Sequence, residues 1–192
     1  MGARDPLRGA AIEPCRSTRD PLGDPAPTMA HLAPETPTDG LPRRYFSLQG
    51  ESLRDTALAI PTVEGHFVLF LACDGTSLSD DELQEFSIDL LGKGIAYLVA
   101  WGPDCARVHD VFDLAEVECD LEGEGPTVMT SWHAGESLEE AFYYFLFTAW
   151  PDEAFESTCN TAIAASVDNS EWSTRIRELF SDVAGLKTEV GV

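Results

Sequence analysis

The chain has 192 residues, and 44% of them are hydrophobic, which excludes a wholly disordered protein. It contains 34 Asp and Glu residues but only 12 Lys and Arg residues, so its formal net charge at pH 7 is -22. This charge repels nucleic-acid phosphates and anionic membrane surfaces, and it attracts a basic partner or a cation. The composition therefore argues against binding to nucleic acid or to a membrane, and it favours a solvated acidic surface.

The N-terminal part of the chain differs from the rest in composition. Residues 1–43 contain eight of the 12 prolines and show no apolar periodicity. Such a segment buries too little apolar surface to offset the entropy lost on ordering. We therefore predict a disordered proline-rich tail at residues 1–43, a single α/β domain at 44–183 and a flexible C-terminus at 184–192. Because Met29 lies inside the tail, residues 1–28 need not belong to the native protein.

The cysteine pattern and the apolar runs bear on metals, cofactors and location. Five cysteines make an odd count without a Cys-x-x-Cys pair, so neither a zinc knuckle nor a disulfide framework is predicted. No glycine-rich phosphate loop is present, and no nucleotide cofactor is predicted. The densest apolar stretch, residues 142–150, is far shorter than the roughly 20 residues that cross a bilayer. We expect a reduced, cytoplasmic protein with no cofactor and no metal site.

Four short apolar runs predict four β-strands. Their composition is typical of strands that are buried on both faces of a sheet. They are residues 66–73, 95–101, 127–132 and 161–167.

A helical pattern follows each predicted strand. Ser79 with Glu82 and Ser137 with Glu140 form capping boxes, which begin the first and third helices. Residues 102–103 begin the second helix and residues 168–170 the last. This alternation predicts a three-layer α/β fold, with a mostly parallel four-stranded sheet and helices on both faces, Rossmann-like or flavodoxin-like.

The third predicted helix carries more aromatic residues than one buried stripe requires. Tyr143, Tyr144, Phe147 and Trp150 add to an apolar face that is already complete. Burial between the sheet and a neighbouring helix explains this surplus. The alternative is an interface with an unknown protein partner or with a second copy in a homodimer.

Two motifs stand beside the second and third predicted strands. Residues 101–110 read Trp-Gly-Pro-Asp-Cys-x-Arg-Val-His-Asp, and residues 132–141 read Trp-His-x-x-Glu-Ser-Leu-Glu-Glu-Ala. With Pro-Asp-Glu at 151–153, they make residues 60–182 resemble a family of small uncharacterised bacterial proteins, a domain of unknown function. The resemblance implies a bacterial cytosolic α/β domain and assigns no activity, ligand or partner.

Polar side chains follow every predicted strand. In an open parallel sheet, ligands bind in a crevice at the carboxyl ends of the strands, where the strand order reverses. The residues at the four ends are Cys73 and Asp74, Asp104 and Cys105, His133 and Glu136, and Asp168 and Asn169. We expect a small polar pocket at this edge.

Two classes of function fit this pattern, and the sequence does not decide whether the protein is an enzyme. The first is a binding or protein-interaction module that uses the small polar pocket. The second is a small hydrolase or nucleosidase-like enzyme with candidate catalytic residues Asp74, Cys105, His133 and Glu136. Cys105 near a helix N-terminus would be the nucleophile with His133 as its base, or the carboxylates would act as acid and base. A structural role is the alternative for two of these residues. Cys105 would then pack as a small hydrophobe, as intracellular cysteines often do, and Asp74 before Gly75 would be a turn residue.

Overall fold

A computed structural model describes residues 32–37, 40–120, 123 and 125–192 of the chain. These residues form an α/β domain with one six-stranded sheet and seven helices. The strands are β1 (Ala33–Glu35), β2 (Arg44–Gly50), β3 (His66–Ala72), β4 (Ile95–Trp101), β5 (Met129–Trp132) and β6 (Cys159–Val167). The helices are α1 (Leu53–Ala59), α2 (Asp80–Leu91), α3 (Cys105–Cys119), α4 (Leu138–Phe147), α5 (Glu153–Glu156), α6 (Ser170–Ser181) and α7 (Val183–Val190).

The predicted number of four strands is wrong, because the sheet also contains β1 and β2. The four predicted strands are β3 to β6, although β5 begins at Met129, later than predicted. β2 contains Ser47 and Gln49, so it lacks the continuous apolar run that marks the central strands. β1 lies within the segment predicted to be disordered, and it pairs antiparallel with β2. Residues 1–31 and 38–39 of the predicted tail, 1–43, lie outside the described residues.

Local capping signals define several helix ends. Both predicted capping boxes are confirmed, at Ser79 for α2 and at Ser137 for α4. α3 begins at Cys105, after the predicted start at residues 102–103. α7 occupies most of the segment that was predicted to be flexible, because Asp182 caps its first turn. In that helix Val183 and Leu186 are buried.

The strand order along the sheet is β1-β2-β6-β3-β4-β5. β1 is antiparallel to β2, and the other neighbouring strands are parallel. The order of the parallel strands is neither the Rossmann nor the flavodoxin order, so that more specific expectation is not confirmed. The central strand β6 is the last in sequence, and it lies between β2 and β3.

The helices form two layers, one on each face of the sheet. The chain crosses from β2 to β3, β4 and β5 in one direction, and it then returns from β5 to β6. Because such crossovers are right-handed, helices on the outward path and on the return path lie on opposite faces. α2 accordingly contacts α1 and α3, whereas α4, α6 and α7 contact one another.

Most of the aromatic surplus of α4 is packed within the domain. Tyr143 and Tyr144 are half-buried, and the Tyr144 ring packs edge-to-face on Tyr97 of β4. The half-buried Phe147 ring lies under the Lys187 ammonium group of α7. α7 therefore covers part of the surface for which a partner was one alternative.

An exposed aromatic ring lies just beyond the end of α4. Trp150 is exposed, and the guanidinium group of Arg43 lies over its ring.

Among the described helices, none is both long enough and apolar enough to cross a membrane.

We predict that the central strands carry much of the free energy of unfolding. Leu69 in β3 is fully buried, so Leu69→Ala should lower that free energy by about 2–5 kcal/mol. Leu58 in α1 is 43% exposed, and Leu58→Ala is the matched control, with an expected loss of about 0.5 kcal/mol or less. Urea denaturation measures both values. Equal losses in the two variants would contradict this arrangement of the core.

Candidate functional site

A crevice opens at the carboxyl ends of the central strands. α6 follows β6 on one face of the sheet, whereas α1 and α2 follow the flanking strands β2 and β3 on the other face. The chain therefore leaves neighbouring strands in opposite directions, which is the arrangement that produces ligand crevices in open α/β sheets. The cavity here has a volume of about 420 Å³.

The walls of the crevice come from the segments that follow four strands. Residues after β2, β3 and β4 and the end of β6 with the start of α6 contribute side chains. The lining residues include Glu51, Cys73, Asp74, Asp168, Asn169 and Trp172. Among the described residues that line the cavity, three are acidic and none is Lys or Arg.

Asp74 lies on the wall contributed by β3. It caps the 3-10 turn formed by residues 75–77, and its Oδ1 atom accepts hydrogen bonds from the backbone N–H of Thr76 at 3.0 Å and from the Thr76 hydroxyl at 2.6 Å. Within the described part of the chain, no group donates to Oδ2 of Asp74. The turn thus fixes the carboxylate and leaves one oxygen for a ligand.

Arg107 of α3 holds the same loop against the end of β4. Its guanidinium group donates to the Asp104 and Asp80 carboxylates and to the backbone carbonyls of Gly75 and Leu78. These bonds join α2, α3 and the β3–α2 loop at one point. Arg107 is therefore a positioning residue for the wall that carries Asp74.

A close approach between β3 and β4 forms the floor below this loop. Gly102 has a φ of +118°, and a Cβ atom there would lie 2.3 Å from the carbonyl oxygen of Cys73. The Cys73 N–H donates to the carbonyl of Trp101. Only glycine fits this turn without displacing the end of β3.

The opposite wall is fixed by the turn between β6 and α6. Asp168 has a left-handed backbone with φ 50°, and its N–H donates to the carbonyl of Gly50 at 2.8 Å. Asn169 caps α6 by accepting a hydrogen bond from the N–H of Trp172. The cap sets the first turn of α6, which presents the Trp172 ring to the cavity.

Trp101 lies between the crevice and the His133 loop. Its ring packs edge-to-face on Trp172 at 5.2 Å, and its Nε1–H donates to the carbonyl of Glu136 at 3.0 Å. The polar groups after β5 therefore lie beside the crevice wall, although neither His133 nor Glu136 lines the cavity.

The structure brings His133 and Glu136 together. Nδ1 of His133 lies 2.8 Å from Oε2 of Glu136, and Nε2 lies 3.3 Å from the Ser131 hydroxyl oxygen. The His133 side chain is 6% exposed, and its ring packs on Tyr144. The result is a hydrogen-bonded series of three side chains on the β5 side of the same edge.

Cys105 and Cys73 lie beneath this edge, and both are buried. Burial raises the pKa of the Cys105 thiol, while backbone hydrogen bonds, the first from His133, lower it to a smaller extent. Burial also raises the pKa of Cys73 to about 12, and the nearby Cys105 and Asp74 add to this effect. Both side chains are therefore neutral thiols at pH 7.

The four predicted site residues fall into three places. His133 and Glu136 are bonded to each other, Cys105 touches the backbone of His133, and Asp74 lies on the crevice wall. Among the described residues, no hydrogen bond or ion pair links Asp74 to the other three. That part of the chain also holds no group of three His, Cys, Asp or Glu side chains that could bind a metal ion.

Sequence reasoning missed three residues of this region. Glu51 follows β2, a strand that carries no strong signal, and Trp172 was placed only on the apolar face of its helix. Ser131 lies inside a predicted strand, where an alternating side chain gives no sign of a hydrogen bond to His133. The pattern Ser-x-His-x-x-Glu at 131–136 was the available signal.

We predict that the buried thiols react slowly. Iodoacetamide at pH 7 should leave Cys73 and Cys105 largely unmodified in the folded protein, because the thiolate is the reactive form. Peptide mass spectrometry measures the modification at each position, with urea-unfolded protein as the control for full reactivity. Rapid alkylation of Cys105 in the folded protein would instead indicate an accessible thiolate.

We predict that Arg107 stabilises the loop that carries Asp74. Arg107→Lys removes the guanidinium geometry that reaches four acceptors, and it should lower the free energy of unfolding by about 1 kcal/mol. Arg177→Lys is the matched control, since within the described segments Arg177 donates only to the carbonyl of Ser173, at 3.3 Å. An equal effect in both variants would show that the Arg107 bonds are not needed.

Comparison with known proteins identifies a family but no function. No curated protein and no solved structure matches the chain. A family model matches residues 43–183, which include β2 to β6 and the walls of the crevice. The match confirms the resemblance to a family of unknown function. The chain belongs to the family described as Domain of unknown function (DUF7684).

Proposed function

We propose that this domain is a binding module and that the crevice at the carboxyl edge of the sheet binds a small, positively charged organic ligand. The proposal rests on which residues form the crevice wall. Glu51, Asp74 and Asp168 line the cavity together with the ring of Trp172, and no Lys or Arg is found among its described lining residues.

The three carboxylates reach the cavity from three different loops. Glu51 follows β2, Asp74 follows β3 and Asp168 follows β6, so the fold places like charges around one space. A cation between them lowers their mutual repulsion and gains charge-assisted hydrogen bonds. The net charge of -22 adds a long-range attraction for such a ligand.

Trp172 supplies a second kind of contact. Its half-buried ring lines the cavity and is held from behind by Trp101. A guanidinium or ammonium group over an indole face is attracted by the ring quadrupole, and this attraction increases as water is excluded. An aromatic wall with carboxylates around it therefore supports binding of an organic cation.

The size and location of the crevice also support ligand binding. Its volume of about 420 Å³ lies in the range of about 300–1,000 Å³ that is usual for small-molecule sites. Doubly wound sheets of the Rossmann and flavodoxin kind bind ligands in the corresponding crevice, and we base this part of the proposal on that likeness. A bacterial, cytoplasmic setting belongs to the same proposal, because the family resemblance implies it.

The binding function is favoured over the other functions considered. Cys105 is buried and its pKa is raised, which lowers its thiolate population and weakens the case for cysteine-based hydrolysis. Of the surplus aromatic residues, Tyr143, Tyr144 and Phe147 are half-buried and Trp150 is exposed, so the helix does not present a continuous exposed patch to a partner. The crevice is accessible, and neither objection applies to it.

We predict saturable binding of organic cations by the full chain. Agmatine, methylguanidinium and tetramethylammonium should be tested by isothermal titration calorimetry, with the dianion glutarate for comparison. At least one cation should bind with a dissociation constant of about 1 mM or tighter, and glutarate should not bind. Absence of saturable binding for all three cations would contradict the proposal.

Variants then locate the site. Glu51→Gln and Asp74→Asn should each weaken binding about fivefold, because each removes one exposed charge partner of the ligand. Glu64→Gln is the matched control, since Glu64 is exposed and precedes β3 at the opposite edge of the sheet. It changes the net charge equally and should leave the affinity within twofold of the wild type. Equal weakening by Glu64→Gln would show a general charge effect and no site at the crevice.

A further inference from the structure

We propose that Ser131, His133 and Glu136 form a second site, in which Ser131 is a nucleophile toward small carboxylic esters. This inference goes beyond the binding function of the crevice and does not depend on it. It rests on the distances between three side chains near the end of β5: 3.3 Å from the Ser131 oxygen to His133 Nε2, and 2.8 Å from His133 Nδ1 to Glu136 Oε2.

The hydrogen bond to Glu136 determines which imidazole nitrogen carries the proton. An ionised carboxylate can only accept hydrogen bonds, so Nδ1 of a neutral His133 donates to Glu136. Nε2 then has a free lone pair, and the Ser131 hydroxyl donates to it. This tautomer is the one that a general base needs in order to take a proton from serine.

The imidazole is held from several sides. Its ring packs on the Tyr144 ring with centroids 4.6 Å apart, and the backbone N–H of His133 donates to the carbonyl of Ala100. Trp101 Nε1 donates to the carbonyl of Glu136, which fixes the loop that carries the carboxylate. A base whose orientation is fixed loses little entropy when the reaction begins.

A second series of hydroxyls ends at Ser131. The Tyr97 and Tyr144 hydroxyl oxygens are 2.7 Å apart, and the Tyr97 hydroxyl also interacts with Ser131. The Ser131 contact lowers the pKa of Tyr97, which is the effect of a hydroxyl that can donate to the tyrosine oxygen. The Ser131 hydroxyl therefore adjoins both the Tyr97 oxygen and Nε2 of His133.

The position of Ser131 in the sheet provides access. It is half-buried on β5, which has β4 as its single neighbour within the described sheet. Because the N–H of His133 points toward β4, the N–H of the preceding residue, Trp132, points toward the outer edge. That N–H, next in the chain to the nucleophile, would donate to the oxygen anion formed from the ester carbonyl.

The reaction is balanced without a cofactor. The Ser131 oxygen forms a bond to the ester carbonyl carbon while its proton passes to Nε2 of His133, and Glu136 stabilises the resulting imidazolium. His133 then gives this proton to the leaving alkoxide as the carbon–oxygen bond of the ester breaks. Water attacks the acyl-serine, and its proton returns through Nε2 to the Ser131 oxygen as the carboxylic acid leaves.

The direct test is covalent labelling of the full chain. Diisopropyl fluorophosphate should form one adduct, and peptide mass spectrometry should place it on Ser131. The folded protein should also hydrolyse p-nitrophenyl acetate with an initial burst. No adduct on Ser131 in the folded wild-type protein would overturn the proposal and would assign these hydrogen bonds a structural role alone.

Variants separate a reactive serine from a structural one. Ser131→Ala should abolish the adduct and the burst, while His133→Gln and Glu136→Gln should slow labelling of the intact Ser131 by at least about tenfold. Ser157→Ala and Glu153→Gln change exposed residues outside this site and should label at the wild-type rate. Circular dichroism melting reports whether each variant is folded. Labelling that is as fast in folded His133→Gln as in the wild type would also overturn the proposal, whereas agmatine binding should be unchanged in Ser131→Ala.

Discussion

The structure depends on the return of the chain from the edge strand β5 to the centre of the sheet at β6. This crossover places β6 between β2 and β3 and carries α4 to the face opposite to α1 and α2. α6 follows β6 and packs beside α4 on that same face. The segments that follow these strands diverge because their helices leave on different faces. The central place of β6 brings Glu51, Asp74 and Asp168 to one crevice, and the packing of α6 beside α4 places Trp172 on its wall.

The sequence predicted the fold well wherever burial leaves a clear signal. Residues 66–73, 95–101 and 161–167 are apolar on both faces and were found as strands, and both capping boxes were found because two side chains satisfy two backbone groups. β2 was missed because Ser47 and Gln49 interrupt its apolar pattern. Its place beside β6 is set by tertiary pairing, which is not visible in local sequence.

The sequence pointed to one edge of the sheet but not to the arrangement of side chains there. The rule that polar groups gather at carboxyl ends named Asp74, which lines the crevice, and the pair His133 and Glu136, which are bonded to each other; a functional role for these residues stays a prediction. It could not show that Trp101 lies between the crevice and the histidine, since that separation depends on ring packing between β4 and α6. It also could not show that Cys105 is buried, because a residue at the start of a helix can be either buried or exposed.

The central claim is that the crevice formed by this crossover takes up organic cations. Backbone amide chemical shifts, followed by nuclear magnetic resonance as agmatine is added, test it most directly because they report every position at once. The account predicts saturable shifts concentrated at Glu51, Asp74, Asp168 and the first turn of α6. Shifts spread evenly over the acidic surface, or concentrated at the amino edge near Glu64, would contradict it.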